Sequence, residues 1–201
     1  HDILFKIFIK GFNLIKNVFK IALLGVVGFA LLTYLTAEKP KDVQANETVV
    51  TSKMDYNSLP KTFEIVGDEK VYNKNEIIKP NEKTLIIVGN HDSLAIVKDL
   101  KKYIKVELPY IMVANISNAP WFIKKWAIPG KLEELNAGTN IPMIYDTDGT
   151  MAKALQQDDT TKTKYFAYIV EANGDIKLAY TGNVKEGALD GTMNEEEIKA
   201  S

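Results

Sequence analysis

One apolar stretch constrains this chain more than any other feature of its sequence. Residues 21–35 read IALLGVVGFALLTYL, and Val18, Phe19 and Thr36 extend the stretch, with Lys20 as its only interruption. A helix needs about 20 predominantly apolar residues to cross the hydrocarbon core of a bilayer. Lys20 lies near one end, where its charged head can reach water, and Tyr34 lies near the other, where interfacial aromatic residues are common. We therefore expect a single transmembrane helix.

A cleaved secretory signal is the alternative interpretation. The basic start, the apolar stretch and Val43-Gln44-Ala45 resemble the three parts of such a signal. The segment before the cleavage motif would be unusually long for a signal peptide, and this length favours an uncleaved anchor. The first residue, His1, is not an initiator methionine, so we expect further residues before it.

Lysines are distributed unequally around the apolar stretch. Residues 1–37 hold four lysines against Asp2 alone, a balance of +3, so residues 38–201 carry −4 of the total net charge of −1. Basic residues are retained on the cytoplasmic side of a membrane. We expect a cytoplasmic N-terminus and a periplasmic globular domain on the bacterial inner membrane.

The first twenty residues show a helical pattern of their own. Polar residues recur at spacings of three and four, which places them in one stripe along a helix. The stripe faces the cytosol or the lipid headgroups in one interpretation, while in the other the opposite, apolar face packs on a partner protein. Small residues in the span offer a further packing surface. The candidate partner-binding residues in this region are Phe5, Phe8, Phe12, Ala22, Gly25 and Gly28.

Composition excludes several classes of function. The chain has no cysteine, which excludes disulfides, thiolate metal sites and thiol catalysis. Only two histidines are present, so we expect no metal and no cofactor. The mildly acidic part after residue 37 lacks the basic face that nucleic acid requires, and we expect no nucleic-acid partner.

The pattern divides the chain into four parts. Residues 1–37 form the amphipathic start and the transmembrane helix, and residues 38–60 form a polar linker without periodicity. Residues 61–190 alternate predicted strands and helices, and residues 191–201 form a C-terminal tail. Strands are predicted at 63–66, 70–72, 84–88, 110–115, 141–145, 165–170 and 176–180, with helices at 92–105, 120–128 and 151–155. This order indicates an α/β domain with a mixed central sheet flanked by helices.

Four segments of this domain resemble the thioredoxin-like superfamily, in its branch of periplasmic, membrane-tethered thiol-disulfide proteins and peroxiredoxins. KTFEIVGDEKVYNKNEII is similar to the leading hairpin, and KTLIIVGNHDSLAIV to the strand and active-site helix. IPMIYDTDGTMAKAL is similar to the middle strand and turn, and YFAYIVEANGDIKLAYTGNV to the closing hairpin. The resemblance covers about two-thirds of the chain and implies a thioredoxin-like fold.

The departures from this resemblance concern the active site. Members of the superfamily place Cys-x-x-Cys where this chain has Ser93-Leu94-Ala95-Ile96, so Ser93 holds the nucleophile position and Ile96 the resolving position. The proline that is usually cis opposite that motif falls at Tyr165. A serine hydroxyl cannot form a disulfide and is barely ionised at neutral pH. The resemblance therefore implies a retained fold without redox chemistry.

Other residues suggest chemistry at first sight. His91-Asp92-Ser93 has the letters of a hydrolytic triad, but adjacent residues do not point at one another as a triad requires. We expect Asn90 or Asp92 to cap the helix and His91 to lie at the edge of the vestigial cleft. A contact of the helix N-terminus with an anion or a partner remains the functional alternative.

Two further clusters have alternative interpretations. Residues 146–149 read Asp-Thr-Asp-Gly, but the glycine and carboxylate spacing of a calcium loop is missing, so an Asx-type turn is expected. Trp121, Phe122, Ile123 and Trp126 form an aromatic cluster on the short helix predicted over residues 120–128. Such aromatic residues usually belong to the core, but exposed tryptophans would be partner anchors.

Two functions follow as hypotheses. The first is a non-catalytic, membrane-anchored accessory, scaffold or assembly subunit of a respiratory, cytochrome-maturation or flagellar stator complex, with integral membrane proteins as partners. The second is an enzyme, or a protein that binds a small ligand or peptide, with its site in the cleft near Ser93 and His91.

Overall fold

The computed structural model describes residues 54–103, residues 107–191 and residue 196. All of them belong to the compact unit Pro40–Ser201. The predicted transmembrane helix and the candidate residues Phe5, Phe8, Phe12, Ala22, Gly25 and Gly28 lie outside the described residues. Among the helices that are described, none combines the length and the apolar character needed to cross a bilayer.

A mixed five-stranded sheet forms the centre of the domain, as predicted. Its strand order is β5-β4-β3-β6-β7. The central strand β3 pairs in parallel with β4, and β4 in parallel with β5, while β6 and β7 are antiparallel to their neighbours. The strands are β3 (Thr84–Gly89), β4 (Tyr110–Asn115), β5 (Met143–Asp146), β6 (Lys164–Val170) and β7 (Ile176–Asn183).

Both faces of this sheet are covered. Every residue of β3 is buried, which fits the continuous apolar run TLIIV of a strand with helices on both sides. Successive side chains alternate between the faces, so Ile87, Met112 and Met143 belong to one core cluster. Ile86 and Val113 belong to the other cluster, on the opposite face.

Short elements surround the sheet. The hairpin of β1 (Thr62–Glu64) and β2 (Val71–Asn73) pairs in antiparallel register and is followed by α1 (Lys74–Ile77). A 3₁₀ helix over Asp92–Lys98 follows β3 and continues into α2 (Leu100–Tyr103). The remaining elements are α3 (Trp121–Trp126), α4 (Ile128–Asn136), α5 (Thr150–Ala154) and the 3₁₀ turns Tyr56–Ser58 and Ala188–Asp190.

Two predicted helices differ from the structure. The helix expected over residues 92–105 is a 3₁₀ helix up to Lys98, with bonds such as Asp99 N to Ile96 O at 3.0 Å. The β-branched pair Ile96-Val97 lowers the preference for a regular α-helix there. The helix expected over residues 120–128 ends at Trp126, and α4 begins at Ile128 with Pro129 in its first turn. Proline is favoured in the first turn of a helix because the N–H groups of that turn have no partner within the helix. The lack of an N–H in proline therefore breaks no hydrogen bond there.

Candidate functional site

Three buried polar side chains lie at the carboxyl edge of the parallel strands. Asn90 follows β3, Asn115 ends β4 and Asp146 ends β5, and all three are buried. Strands that run in parallel place their carboxyl ends along one edge, which is where open α/β sheets bind ligands. Asn115 Nδ2 donates to Asn90 Oδ1 at 3.0 Å, so the first two residues form one network. Sequence reasoning missed Asn115, although its position at the end of a buried strand is a usable signal.

Ser93 lies beside this network and has no exposed surface, with 0% of its area accessible. Its backbone N–H donates to the carbonyl of Lys162 at 3.1 Å. Its Oγ lies 2.8 Å from Lys164 O and 2.9 Å from Asn90 O. A hydroxyl has one proton to donate, and both neighbours are acceptors only. Ser93 is therefore held in its protonated form against the main chain, while Ile96 in the same turn is half-buried.

The main chain that covers Ser93 belongs to the 157–164 segment, which connects α5 to β6. Asn90 Nδ2 donates to the carbonyls of Asp159 and Thr161, each at 2.9 Å. The buried Gln157 donates from Nε2 to Asp159 O at 2.7 Å. These bonds hold the 157–164 segment against the end of β3. Sequence reasoning gave no sign of this contact, because the residues that meet are about 70 positions apart.

A charge pair stabilises the same segment from its outer side. Lys164 Nζ lies 2.7 Å from Asp159 Oδ2, and the Thr161 N–H donates to Asp159 Oδ1 at 2.9 Å. The hydrogen bond from Lys164, followed by those from Thr161, lowers the pKa of Asp159 to about 2. The carboxylate is therefore charged throughout the physiological range.

His91 and Asp92 are brought together, but Ser93 is not part of their contact. His91 Nδ1 lies 2.8 Å from Asp92 Oδ1, and the His91 side chain is 66% exposed. The Asp92 side chain is only 3% exposed, and its Oδ2 accepts the N–H of Gly187 at 3.0 Å. Lys162 Nζ lies 3.9 Å from the same oxygen. His91 and Asp92 therefore form a histidine–carboxylate pair, and Ser93 does not contribute a nucleophile to it.

The prediction that Asn90 or Asp92 caps the helix is wrong. The residue at the N-cap is His91, and it makes no side-chain capping bond. Asn90 has its side chain bonded to Asn115 and to the 157–164 segment, and Asp92 bonds to Gly187. Tertiary contacts have replaced the local bonds that a cap would make. Since Ser93 N is bonded to Lys162 O, this amide is occupied by the chain itself.

Tyr165 follows Lys164 and lies inside the sheet. It pairs with Gly89 on β3 and with Gly182 on β7. Its ring centroid is 6.0 Å from that of Tyr180, and burial raises the pKa of Tyr165 to about 12. No peptide bond is cis in the described part of the chain. At the position that the resemblance assigns to the proline, this chain has a packed, neutral aromatic residue.

The central strand β3 thus has two parallel strands on one side and an antiparallel hairpin on the other. A helical segment leaves its carboxyl end, and the first turn of that segment, at Ser93, faces the chain just before β6. The domain has a thioredoxin-like fold. This assignment rests on the strand order and on the position of Ser93.

Comparisons with solved structures return thioredoxin-like proteins of low sequence identity. A secreted disulfide oxidoreductase of Mycobacterium tuberculosis, homologous to E. coli DsbE, is 10% identical with a TM-score of 0.42, over 71% of this chain and 94% of that one. Peroxiredoxin Q of Xanthomonas campestris is 11% identical with a TM-score of 0.39, over 72% and 93% of the two chains. The N-terminal domain of PilB from Neisseria gonorrhoeae is 17% identical with a TM-score of 0.40, over 69% and 94%. No protein-family model matches the chain, and no curated protein matches its sequence.

In this thioredoxin-like domain the Asp-Thr-Asp-Gly turn connects β5 to α5. Asp146 accepts the N–H groups of Met151 at 3.0 Å and Ala152 at 2.9 Å, which satisfies the first turn of α5. Gly149 has a φ of +69°, a left-handed conformation that favours glycine. Burial raises the pKa of Asp146, although the hydrogen bonds oppose this effect. Within the described ranges, no three acidic or histidine side chains converge as a metal site would require.

A depression of about 310 Å³ lies beside this turn, between the β1–β2 hairpin and the end of β5. Its lining includes Glu64, Val71, Tyr145 and Asp148. Among the described residues, Asp146 at the carboxyl edge of the sheet lines it, whereas Ser93, Ile96 and Tyr165 do not. The depression is therefore separate from the position of Ser93.

The expectation that the tryptophans belong to the core is wrong. Trp121 is 67% exposed and Trp126 is 76% exposed. The half-buried residues of α3 are Phe122, Ile123 and Lys124, and the ring of Trp121 meets the ring of Phe122 edge-on at 6.0 Å. A helix of six residues has too few positions for all four apolar side chains to face the sheet. The pattern WFIKKW did not indicate which of them would face solvent.

Proposed function

We propose that this chain is a non-catalytic, membrane-anchored thioredoxin-like subunit that serves as an accessory, scaffold or assembly factor in a bacterial envelope complex. The burial of Ser93 against the 157–164 segment carries the proposal. The residue at the nucleophile position of the fold has no access to a substrate, and the chain has no cysteine that could replace it.

The hydrogen bonds of Ser93 also oppose activation of its hydroxyl. A nucleophilic serine needs a base that accepts its proton. The partners of Ser93 Oγ are the carbonyl oxygens of Lys164 and Asn90, which stabilise the protonated form. The imidazole of His91 is bonded to Asp92 instead, and the second oxygen of the Asp92 carboxylate accepts the N–H of Gly187.

The proposal also includes the cellular location of the chain. The apolar residues 21–35 and the lysines before them support an inner-membrane anchor with a periplasmic domain. A subunit of this kind has other integral membrane proteins as partners, in a respiratory, cytochrome-maturation or flagellar stator complex, and it also contacts the lipid bilayer.

Co-purification tests this function. Tagged full-length chain is extracted in mild detergent beside a variant in which an unrelated single-span anchor of the same orientation replaces residues 1–37. We expect the native chain to recover a stable set of integral membrane proteins, and the variant to recover less of it. Both proteins are also assayed for disulfide reductase and peroxidase activity. Turnover that persists through repurification, or native chain that recovers no membrane protein, contradicts the proposal.

One observation favours a ligand-binding function as a second candidate. The exposed imidazole of His91 is oriented by the buried carboxylate of Asp92, as in sites where a carboxylate fixes the tautomer of a working histidine. Peptides captured from an envelope extract by the full chain test this candidate. A captured set that disappears with His91→Ala supports it, and an unchanged set excludes His91 as the binding group.

A further inference from the structure

The most exposed aromatic residues of the described domain lie together on one short helix. Trp121 and Trp126 are the first and last residues of α3 and are 67% and 76% exposed. They are also the two tryptophans of the whole sequence. Tryptophan is enriched at protein interfaces and in the interface belts of membranes, where part of the ring is apolar and the N–H meets water.

The exposed side of α3 combines these rings with positive charge. At 100° per residue, Lys125 lies between Trp121 and Trp126 around the helix axis. Lys125 is exposed, and its Nζ is 5.4 Å from the centroid of the Trp126 ring, whereas Lys124 is half-buried. No acidic residue occurs in α3, although residues 38–201 as a whole are acidic. The helix is therefore a local basic and aromatic surface on an acidic domain.

This combination fits the interface of a lipid bilayer. Tryptophan rings concentrate at the level of the headgroups, where one part of the ring meets hydrocarbon and the N–H meets water. Lysines next to such rings are attracted by anionic lipids. The charge of α3 is complementary to anionic headgroups.

The linker keeps this surface within reach of a bilayer. The described domain begins at Met54, and the predicted span ends near residue 36. Whatever its conformation, a stretch of about 17 residues spans at most about 60 Å. The predicted anchor would therefore keep the domain within reach of the bilayer.

We propose that α3 lies on the anionic headgroup surface of the bilayer, with the rings of Trp121 and Trp126 at the headgroup level and the exposed Lys125 near the lipid phosphates. This inference rests on the proposed membrane anchor.

Tryptophan fluorescence of the full-length chain tests it. Because both tryptophans lie on α3, the emission reports on this helix alone. The chain is reconstituted into vesicles of equal parts phosphatidylcholine and phosphatidylglycerol, with the phosphatidylcholine brominated on its acyl chains just below the headgroup. We expect a blue-shifted emission that the brominated lipid lowers by about half relative to unbrominated vesicles.

Variants assign the effect to residues. Trp121→Phe and Trp126→Phe each leave one reporter, and both should remain quenched. Lys125→Glu should weaken the quenching, whereas Lys177→Glu, an exposed charge reversal on β7, should not. Equal weakening by the two charge reversals overturns the assignment to α3.

Flotation of the same vesicles separates this proposal from the proposed anchor. Chain that floats with the vesicles while its tryptophans are unquenched overturns the α3 proposal, leaves the anchor intact and indicates a protein partner. Chain that does not float overturns the anchor, and the α3 proposal falls with it. Equal quenching in vesicles of phosphatidylcholine alone overturns the role of anionic lipid.

Discussion

Among the single residues, hydrogen-bond partners decide what Ser93 and its neighbours can do. Ser93 Oγ meets two carbonyl oxygens, and Asn90 uses its side chain on Asn115 and on the 157–164 segment. The bonds from Ser93 and Asn90 to the 157–164 segment join positions about 70 residues apart. The lack of cysteine was evident from the sequence. The burial of Ser93 was not, because no local sequence pattern encodes such a long-range contact.

The first prediction concerns Asp159, which stabilises the 157–164 segment. Its pKa in the folded protein is about 2, below its ordinary value of 3.8, so its contribution to stability is present above pH 4 and is lost as the pH falls through about 2. The ion pair with Lys164 is partly exposed, so we expect Asp159→Asn to cost about 1 kcal/mol at neutral pH. The cost should disappear near pH 2. Urea unfolding at both pH values measures it.

Asp158→Asn is the matched control for this prediction. Asp158 is the exposed neighbour of Asp159, and its substitution should change the free energy of unfolding by less than about 0.5 kcal/mol. An Asp159→Asn penalty that is the same at both pH values would show that the charge of Asp159 does not stabilise the fold.

Among the secondary-structure elements, the buried strands were predicted most accurately. The bounds of β4 agree with the sequence prediction, and those of β3 differ by one residue, because apolar runs bounded by turn residues favour buried strands. The helix α4 was missed, since a helix beginning immediately after α3 leaves no loop between them. The exposure of Trp121 and Trp126 was not predictable, because hydrophobicity does not show which side of a short helix meets the sheet.

The second prediction concerns the hairpin of β6 and β7. The ring of Tyr165 lies over Gly182, and a Cβ at that position would overlap the ring. Gly182→Ala should therefore force the Tyr165 ring out of its site and lower the free energy of unfolding by about 1–3 kcal/mol. Chemical denaturation followed by circular dichroism measures this change.

Gly130→Ala serves as the control for the hairpin substitution. Gly130 lies in α4 with no atom within 4 Å of an added Cβ, and alanine favours a helix by about 0.5–1 kcal/mol over glycine. The two substitutions should therefore change stability in opposite directions. Gly182→Ala protein as stable as the wild type would contradict the contact between Tyr165 and Gly182.

For the molecule as a whole, the domain has a thioredoxin-like fold in which Ser93, the residue that the resemblance places at the nucleophile position, is part of the buried core. Asn90, Ser93 and the 157–164 segment together form a hydrogen-bonded layer over the carboxyl end of β3. Conversion to a redox-active protein would therefore require more than a cysteine, because the layer would also have to open.

The reactivity of a single introduced cysteine tests this account most directly. Since the chain has no cysteine, Ser93→Cys and His91→Cys each give a protein with one thiol, the first at a buried position and the second at an exposed one. Each variant is treated with a thiol reagent in its folded form, checked by circular dichroism, and again in urea. We expect the folded Ser93→Cys thiol to react about a thousandfold more slowly than the His91→Cys thiol, and the two rates to become similar in urea. A folded Ser93→Cys thiol that reacts within about tenfold of the control would contradict the burial of this position under the 157–164 segment.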